Sequence, residues 1–477
     1  MATTEAPLAK ASVLNGSGPT ASAVLTARAM HVLVLGLSAG VWAQGGYHGP
    51  GRLVLVVAVS AAGALGLVGV RPVAAELRSP FVLAAAGLAA WALVRGAASP
   101  QRLSGGPLAV LLAGAVAVVL VVARLQPRQR DELVSGLMGL GVVVAATGWI
   151  GVVWHREPWG LSNDGVWRAA SSMTYANATA AVLVPLLLLS VGRLMSRPRD
   201  LWSAVATAVI LVGAVATLSR AGAVSLGCGA LVLVLVAGPR KVWSAAAAPV
   251  LGAAIAVAGM TGSLSLGSSP GRPVAVVAMA VGLCSTAVAT RLRAPAKAGV
   301  FAAVLGLGVL ALSREWSSLS AVLAVRVEAG SSPRVHVAEA ALHRVAEHPV
   351  LGVGPASSPV TWPGGDGSVQ AMRYLHDEYL EVLLALGAPG LVLLLTVLAA
   401  AVVTLRRARR QLAGDALVAA VSAALAAAAV HAAFDFVWHL PVVPLLLAAL
   451  LGLVTERPSA RAGPSSGDRP RPTREVE

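Results

Sequence analysis

The sequence predicts an all-α fold: a polytopic integral membrane bundle of about 12–14 transmembrane helices, with one long extracytoplasmic loop containing short helices. Three observations lead there. Of 477 residues, 57% are hydrophobic and only 12% are charged, against about 25% charged in a typical soluble domain. Aromatic residues make up 4%, so the hydrophobicity comes from Ala, Val, Leu and Gly, whose small side chains let helices approach closely in lipid. The apolar residues also fall in runs near the roughly 20 residues that a helix needs to cross the hydrocarbon core.

Those runs lie at 28–44, 53–70, 81–98, 107–123, 133–154, 176–192, 202–218, 221–237, 243–260, 273–290, 298–312, 380–404, 415–434 and 440–454. The organisation that follows is a tail over 1–27, eleven spans over 28–312, a loop over 313–379, three spans over 380–454 and a second tail over 455–477. Both tails are polar, the first rich in Ala, Ser and Thr and the second in Pro, Ser and Arg, and are expected to be disordered and cytoplasmic. No apolar core precedes Ala21-Ser22-Ala23, which excludes a signal peptide of the usual layout.

The net charge of +15 raises nucleic acid as a partner, and its placement argues against that. Lys and Arg sit in short loops between apolar runs, as topology signals do. With the N-terminus inside, 24 of the 36 fall on the cytoplasmic side, and the bias holds from loop to loop. The expected topology has both termini cytoplasmic and the 313–379 loop outside. In that loop, Ser332-Pro333 reads as a helix start. Val335, Ala338, Leu342 and Val345 recur at helical spacing as an apolar face. Pro349 to Pro355 reads as a turn and Thr361 to Gly367 as a loop, with helix resuming near Met372.

Several chemistries are excluded. Cys228 and Cys284 lie apart in apolar runs, with no Cys-x-x-Cys pair for zinc or redox work. There is no Gly-x-x-x-x-Gly-Lys phosphate loop, and Gly352-Val353-Gly354 does not follow a strand. No His and carboxylate spacing points to a metal site. Neither a cofactor nor a metal is expected.

What remains is a set of polar residues at the outer helix ends. Arg220, in a turn between two spans, is either a functional charge beside hydrocarbon or an arginine whose head snorkels to the interface. Arg334 heads the loop helix and taken alone reads as a solvated charge. His376-Asp377-Glu378-Tyr379 offers a histidine that could work as a base near neutral pH, or an acid-rich helix N-terminus. His431, Asp435 and His439 recur every four residues and share a face if their helix continues. Asn177, in Tyr175-Ala176-Asn177, reads as a possible helix cap.

In order along the chain, Ser219-Arg220-Ala221-Gly222, then Arg334 with His348-Pro349-Val350-Leu351-Gly352-Val353-Gly354-Pro355, then His376-Asp377-Glu378-Tyr379-Leu380 with Leu386-Gly387-Ala388-Pro389-Gly390, and last His431 to Pro441 resemble the O-antigen ligase and O-antigen polymerase superfamily. The likeness runs from about Met173 to Leu453. Asp377 stands where that family usually has Asn, and Val337-Ala338 stand where a Trp is common. The resemblance implies a metal-independent glycosyltransferase of the cytoplasmic membrane. It would move a glycan from a polyprenyl (undecaprenyl) diphosphate carrier to an acceptor hydroxyl on a lipid, protein or wall glycan at the outer face. It places Arg220 and Arg334 on the diphosphate, His376 as the base with Asp377 orienting it, and Asp377, His431, Asp435 and Asn177 along the substrate. Two rival readings are a polysaccharide polymerase of the same architecture and a transporter or flippase. Transport is disfavoured because the span centres carry almost no charge.

Overall fold

A computed structural model describes residues 21–69, 74–163, 165–292, 332–355, 359–364, 368–412 and 414–455. The helices run α1 Ala21–Trp42, α2 Gly49–Gly69, a short α3 Ala74–Leu77, α4 Pro80–Ala97, α5 Gly106–Ala123, α6 Pro127–Val153, α7 Ala176–Ser196, α8 Leu201–Ala216, α9 Arg220–Ala237, α10 Pro239–Met260, α11 Pro273–Arg291, α12 Ser332–Glu347, α13 Glu378–Gln411, α14 Ala416–Ala432 and α15 Val442–Val454. Ten are long and apolar enough to cross a membrane; α8, α14 and α15 are apolar but shorter. The chain is therefore an all-α polytopic membrane protein. The expected span at 298–312 lies outside the described residues.

Proline sets many helix starts, since its missing N–H is no loss in the first turn. It stands at the first or second position of α4, α5, α6, α10 and α11. The polar stretch before residue 28 is not all tail: α1 already begins at Ala21. The side chain of Gln129 on α6 reaches Ala23 O at 2.9 Å and accepts from Thr26 at 3.3 Å, which satisfies polar groups of that first turn.

The centre of the bundle is α7, buried along almost its whole length, as befits a helix that is apolar all round. It packs on α14, α8 and α6, and α14 packs on α9. These contacts are close because α14 is Ala-rich. A Cβ added at Gly229 of α9 would meet the Ala427 methyl of α14 at 3.0 Å. Around this centre α1 pairs with α2, α5 with α15, α4 with α13, and α10 with α11.

The loops hold two antiparallel hairpins that the apolar pattern does not announce. β1 Gly160–Asn163 pairs with β2 Val166–Ala169 between α6 and α7, and β3 Val360–Pro363 pairs with β4 Val369–Met372 before α13. Met372 is thus the end of a strand. The helix expected there begins only at Glu378, where the Asp377 side chain caps it. The buried face of α12 also differs from the expected one. Val337 and Ala341 pack against Val360, Leu375 and Leu384, with Val345 of the expected face packed beside them, whereas Val335 and Leu342 are exposed. Helical spacing gives a period but not a phase when both faces carry apolar residues.

α13 is broken. Gly387 has φ 70° and ψ −174°, a conformation open to glycine but strained for L side chains. The break frees carbonyls that the Pro349–Gly354 segment satisfies. Val353 N–H donates to Leu384 O at 2.8 Å and Gly354 N–H to Ala385 O at 3.0 Å, while Ala388 N–H donates to Pro349 O at 2.9 Å. From α4, Trp91 Nε1 donates to Leu386 O at 2.9 Å and Arg95 Nε to Leu351 O at 2.6 Å. Two of the sequence stretches singled out above are therefore two halves of one joint.

Candidate functional site

One end of the bundle gathers polar side chains from distant parts of the chain. Its centre is Asp435, fully buried. α14 stops at Ala432, so Asp435 sits in the turn beyond it, and the condition under which His431, Asp435 and His439 would share a helical face is not met. A buried carboxylate survives only where donors replace water. Here Asp435 Oδ2 accepts from the Tyr175 hydroxyl at 2.6 Å and from Asn177 Nδ2. Oδ1 accepts from Phe436 N–H at 2.8 Å and faces His376 Nδ1 at 3.1 Å. Burial pushes the Asp435 carboxyl up, but the hydrogen bond and charge of His376, with the Tyr175 and Asn177 bonds, outweigh it and hold it below the usual carboxylate range. Burial, then the charge and hydrogen bond of Asp435, push the Tyr175 phenol up, so that group works as a donor.

Asn177 is no cap. It lies in the first turn of α7, buried, and bridges Asp435 to Arg168, whose Nη2 donates to Asn177 Oδ1 at 3.0 Å. Arg168, on β2 and also buried, donates through Nε to Thr217 O at 2.9 Å. That contact braces the turn before α9. Leu218 in this turn has φ 48°, and Thr174, just before Tyr175, has φ 52°. Left-handed non-glycine residues of this kind cost about 1–3 kcal/mol each and gather where the surroundings over-determine a site. Ser219 then caps α9 by accepting from Gly222 N–H at 3.0 Å, and Arg220 heads the helix with its side chain exposed. Arg334, on the first turn of α12, is exposed too and acts on the Tyr175 phenol electrostatically.

His376, Asp435 and Asn177 thus belong to one network, with Arg334 beside it and Arg220 one turn from Arg168's anchor. Asp377 and His431 are placed differently. The Asp377 carboxylate accepts from Tyr379 N–H at 2.9 Å and Leu380 N–H at 3.1 Å; it serves its own helix, and the carboxylate that orients His376 is Asp435. His431, buried in the last turn of α14, sets Nδ1 3.4 Å from the Ser225 hydroxyl, and its buried Nε2 has no hydrogen-bond partner.

Beside the network stands a second carboxylate–imidazole pair. Glu378, 2% exposed, accepts from Trp438 N–H and sets Oε2 3.5 Å from His439 Nδ1. The sequence offers His439, Glu378 and Tyr175 only as members of longer motifs, with no role of their own, and does not single out Arg168. Arg168 counted only as one loop charge. Its signal was an arginine between Trp167 and an Ala-Ala pair, in too apolar a setting for a solvated residue.

In chemical terms the end of the bundle offers an imidazole with one nitrogen fixed by a buried carboxylate, which leaves Nε2 to meet a ligand. It also offers arginines suited to an anion.

No curated protein matches the chain. Residues 256–395, from the end of α10 across α12 and the second hairpin to the first turns beyond the break in α13, match the family model described as O-antigen ligase. That segment, which holds Arg334, His376 and Glu378, is similar to the O-antigen ligase family of membrane proteins.

Proposed function

We propose that the protein transfers a glycan from a polyprenyl diphosphate carrier to an acceptor hydroxyl at the outer face of the cytoplasmic membrane, without a metal ion. Both termini are cytoplasmic in this reading, as the Lys and Arg distribution favours, and the Asp435 end of the bundle faces out. The observation that carries the proposal is the His376–Asp435 pair at 3.1 Å, beside the exposed Arg220 and Arg334.

In the proposed reaction His376 Nε2 takes the proton of the acceptor hydroxyl. The oxygen attacks the anomeric carbon as the bond from that carbon to the carrier phosphate oxygen breaks, and the lipid diphosphate leaves. Asp435 holds the imidazole in position and favours the imidazolium that forms. Arg220, at the positive end of α9, and Arg334 offset the charge on the leaving diphosphate, the task for which preorganised cations are most effective. Asn177 and Arg168 fix the geometry of both halves, and His431 lines the same region. The acceptor is a lipid, protein or wall glycan.

The test is transfer from undecaprenyl diphosphate-linked glycan by protein in proteoliposomes. His376→Ala and Arg220→Ala each lower the rate by a hundredfold or more while the protein inserts normally; unchanged transfer would overturn the assignment. A second reading is a polymerase that joins repeat units on the carrier, supported by the same superfamily motifs. A strain lacking the protein separates the two: long glycan stranded on carrier lipid indicates a ligase, single repeat units a polymerase.

A further inference from the structure

Phe436 divides the site. Its ring stacks on Tyr175 at 5.3 Å between centroids and lies 5.2 Å from His376, 5.5 Å from Tyr374 and 6.5 Å from His439. On the Tyr175 side stand Arg168, Asn177 and the influence of Arg334. The other side has a different character. Tyr374 lies 4.1 Å from His439 and meets Tyr47 edge-on at 6.1 Å. Glu378 backs His439, and Glu381 Oε2 accepts from Leu375 N–H at 2.8 Å. Arg52, whose Nε donates to Gly46 O at 3.2 Å, is near enough to act on both Tyr374 and His439.

We infer that Glu378, His439, Tyr374 and Tyr47 form a subsite for the acceptor saccharide, set apart by Phe436 from the arginine side that takes the donor diphosphate. The inference rests on the glycosyl transfer proposed above and adds where the second substrate sits. Charge decides the allocation. Two carboxylates, Glu378 and Glu381, flank His439, so a diphosphate placed beside it would meet their repulsion, with Arg52 and the Arg373 that lies over the Tyr374 ring as the nearby counter-charges, whereas the opposite side sets Arg168, Arg334 and Arg220 around one carboxylate that is already satisfied by its own donors. Sugar rings present the complementary chemistry. Their C–H faces pack on aromatic rings, and their hydroxyls both donate to carboxylates and accept from imidazole N–H. The groups are placed to be reached: Tyr47 and Tyr374 are half-buried and the His439 side chain is 24% exposed. The Glu378–His439 contact is also not closed. At 3.5 Å His439 Nδ1 makes no hydrogen bond of good geometry, as is common for site groups that tighten only around a ligand. His376, in contact with the same Phe436 ring, stands between the two sides, where a base must lie to take a proton from the acceptor.

The experiment uses the full chain in lipid nanodiscs with two probes. One is undecaprenyl diphosphate, read by direct binding. The other is the envelope glycan extracted from cells lacking this protein, titrated as acceptor in the transfer assay. His439→Gln and, at a half-buried ring, Tyr374→Ala are expected to bind undecaprenyl diphosphate within twofold of wild type. Both raise the amount of extract needed for half-maximal transfer about tenfold. The inference is overturned if either variant weakens undecaprenyl diphosphate binding tenfold while the folded protein is retained, or if both leave the acceptor requirement unchanged. Failure of the underlying reading shows up elsewhere, in wild-type protein that neither binds undecaprenyl diphosphate nor transfers glycan.

Discussion

The two ends of the helical bundle hold some of their charges differently, although each buries an arginine, Arg124 at one and Arg168 at the other. At the end where α5 and α15 finish and α6 begins, several arginines are absorbed into the structure, although Arg128 is 90% exposed. Arg124, 1% exposed, pairs with Glu76. Arg130 donates to Ala123 O at 2.9 Å, Leu125 O at 3.2 Å and Leu453 O at 3.1 Å, neutralising the carbonyl-rich ends of two helices. Arg193 reaches Asp200 at 3.4 Å, and Arg197 pairs with Asp131. At the Asp435 end the carboxylates take neutral donors and histidines, while Arg220 and Arg334 lie exposed. Charge buried within the chain contributes stability; charge exposed at the surface can also be reached by a ligand.

The sharpest break in that comparison comes from removing its centre. Asp435→Ala takes the acceptor from Tyr175, Asn177 and His376 together and leaves buried donors without partners, a loss of about 3–5 kcal/mol where a buried charged partner disappears. Transfer should fall about a thousandfold or more, with a lowered melting temperature. Asp435→Asn keeps the shape and should fall between. The matched pair Arg220→Ala and Arg130→Ala tests the contrast directly. Arg220→Ala is expected to cost about a hundredfold in rate with an unchanged melting temperature. Arg130→Ala is expected to destabilise by about 2 kcal/mol, since several charge-assisted hydrogen bonds go at once, with the rate per folded molecule unchanged. The reverse outcome for either would dissolve the distinction between the ends.

The contrast also marks what the sequence could carry. Spans were readable because apolar runs near 20 residues have few alternatives, and His376 and Asp435 were readable because ionisable groups beside hydrocarbon are costly. Their pairing was not. Tyr175, His376 and Asp435 are far apart in the chain, and no local pattern says that Asp435 rather than adjacent Asp377 serves the histidine. Asp377 was the nearest carboxylate in sequence, yet a carboxylate one residue before a helix is drawn to that helix's own N–H groups. The end of α14 at Ala432 likewise depends on tertiary contacts, which a four-residue spacing cannot report, so whether the helix continues to His439 stays open in the sequence. The apolar face of α12 is legible only in part for a different reason: two phases fit its sequence, Val345 packs as its spacing predicts, and only the packing of Val337 and Ala341 chooses the phase.

A smaller effect sharpens how the Asp435 end is held in place. The break at Gly387 sets the short arm Glu378–Leu386 against Val350 and Gly352, and a Cβ at this glycine would collide with Val350 O. Gly387→Ala combines that clash with an unfavourable φ, and transfer should fall about tenfold through misplacement of the short arm, which carries Glu378. Trp91→Phe keeps the ring but removes the donor to Leu386 O. One lost hydrogen bond of about 1 kcal/mol should lower the melting temperature slightly and the rate by only a few-fold. Equal effects from the two variants would mean that the break is held by α4 and not by the glycine.

The smallest expected effect distinguishes the two carboxylate–imidazole pairs by the sign of their pH dependence. Asp435 is held below the usual carboxylate range, after burial is outweighed by His376, Tyr175 and Asn177. Its contribution to stability is therefore present above the unfolded carboxylate pKa of about 3.9 and is lost as pH falls through the lower folded value. His439 runs the other way. Burial pulls it down, but Glu378 and Glu381 outweigh burial and hold it above the ordinary imidazole value. Its contribution is complete below the unfolded value of about 6.5 and fades as pH rises through the folded one. Melting curves across pH should then show Asp435→Asn differing from wild type by less at strongly acid pH than at neutrality. His439→Gln should differ by less at alkaline pH than at mildly acid pH. If both differences shrank on the same side, the two imidazoles would share one titration, and Phe436 would not separate the site into two electrostatic halves.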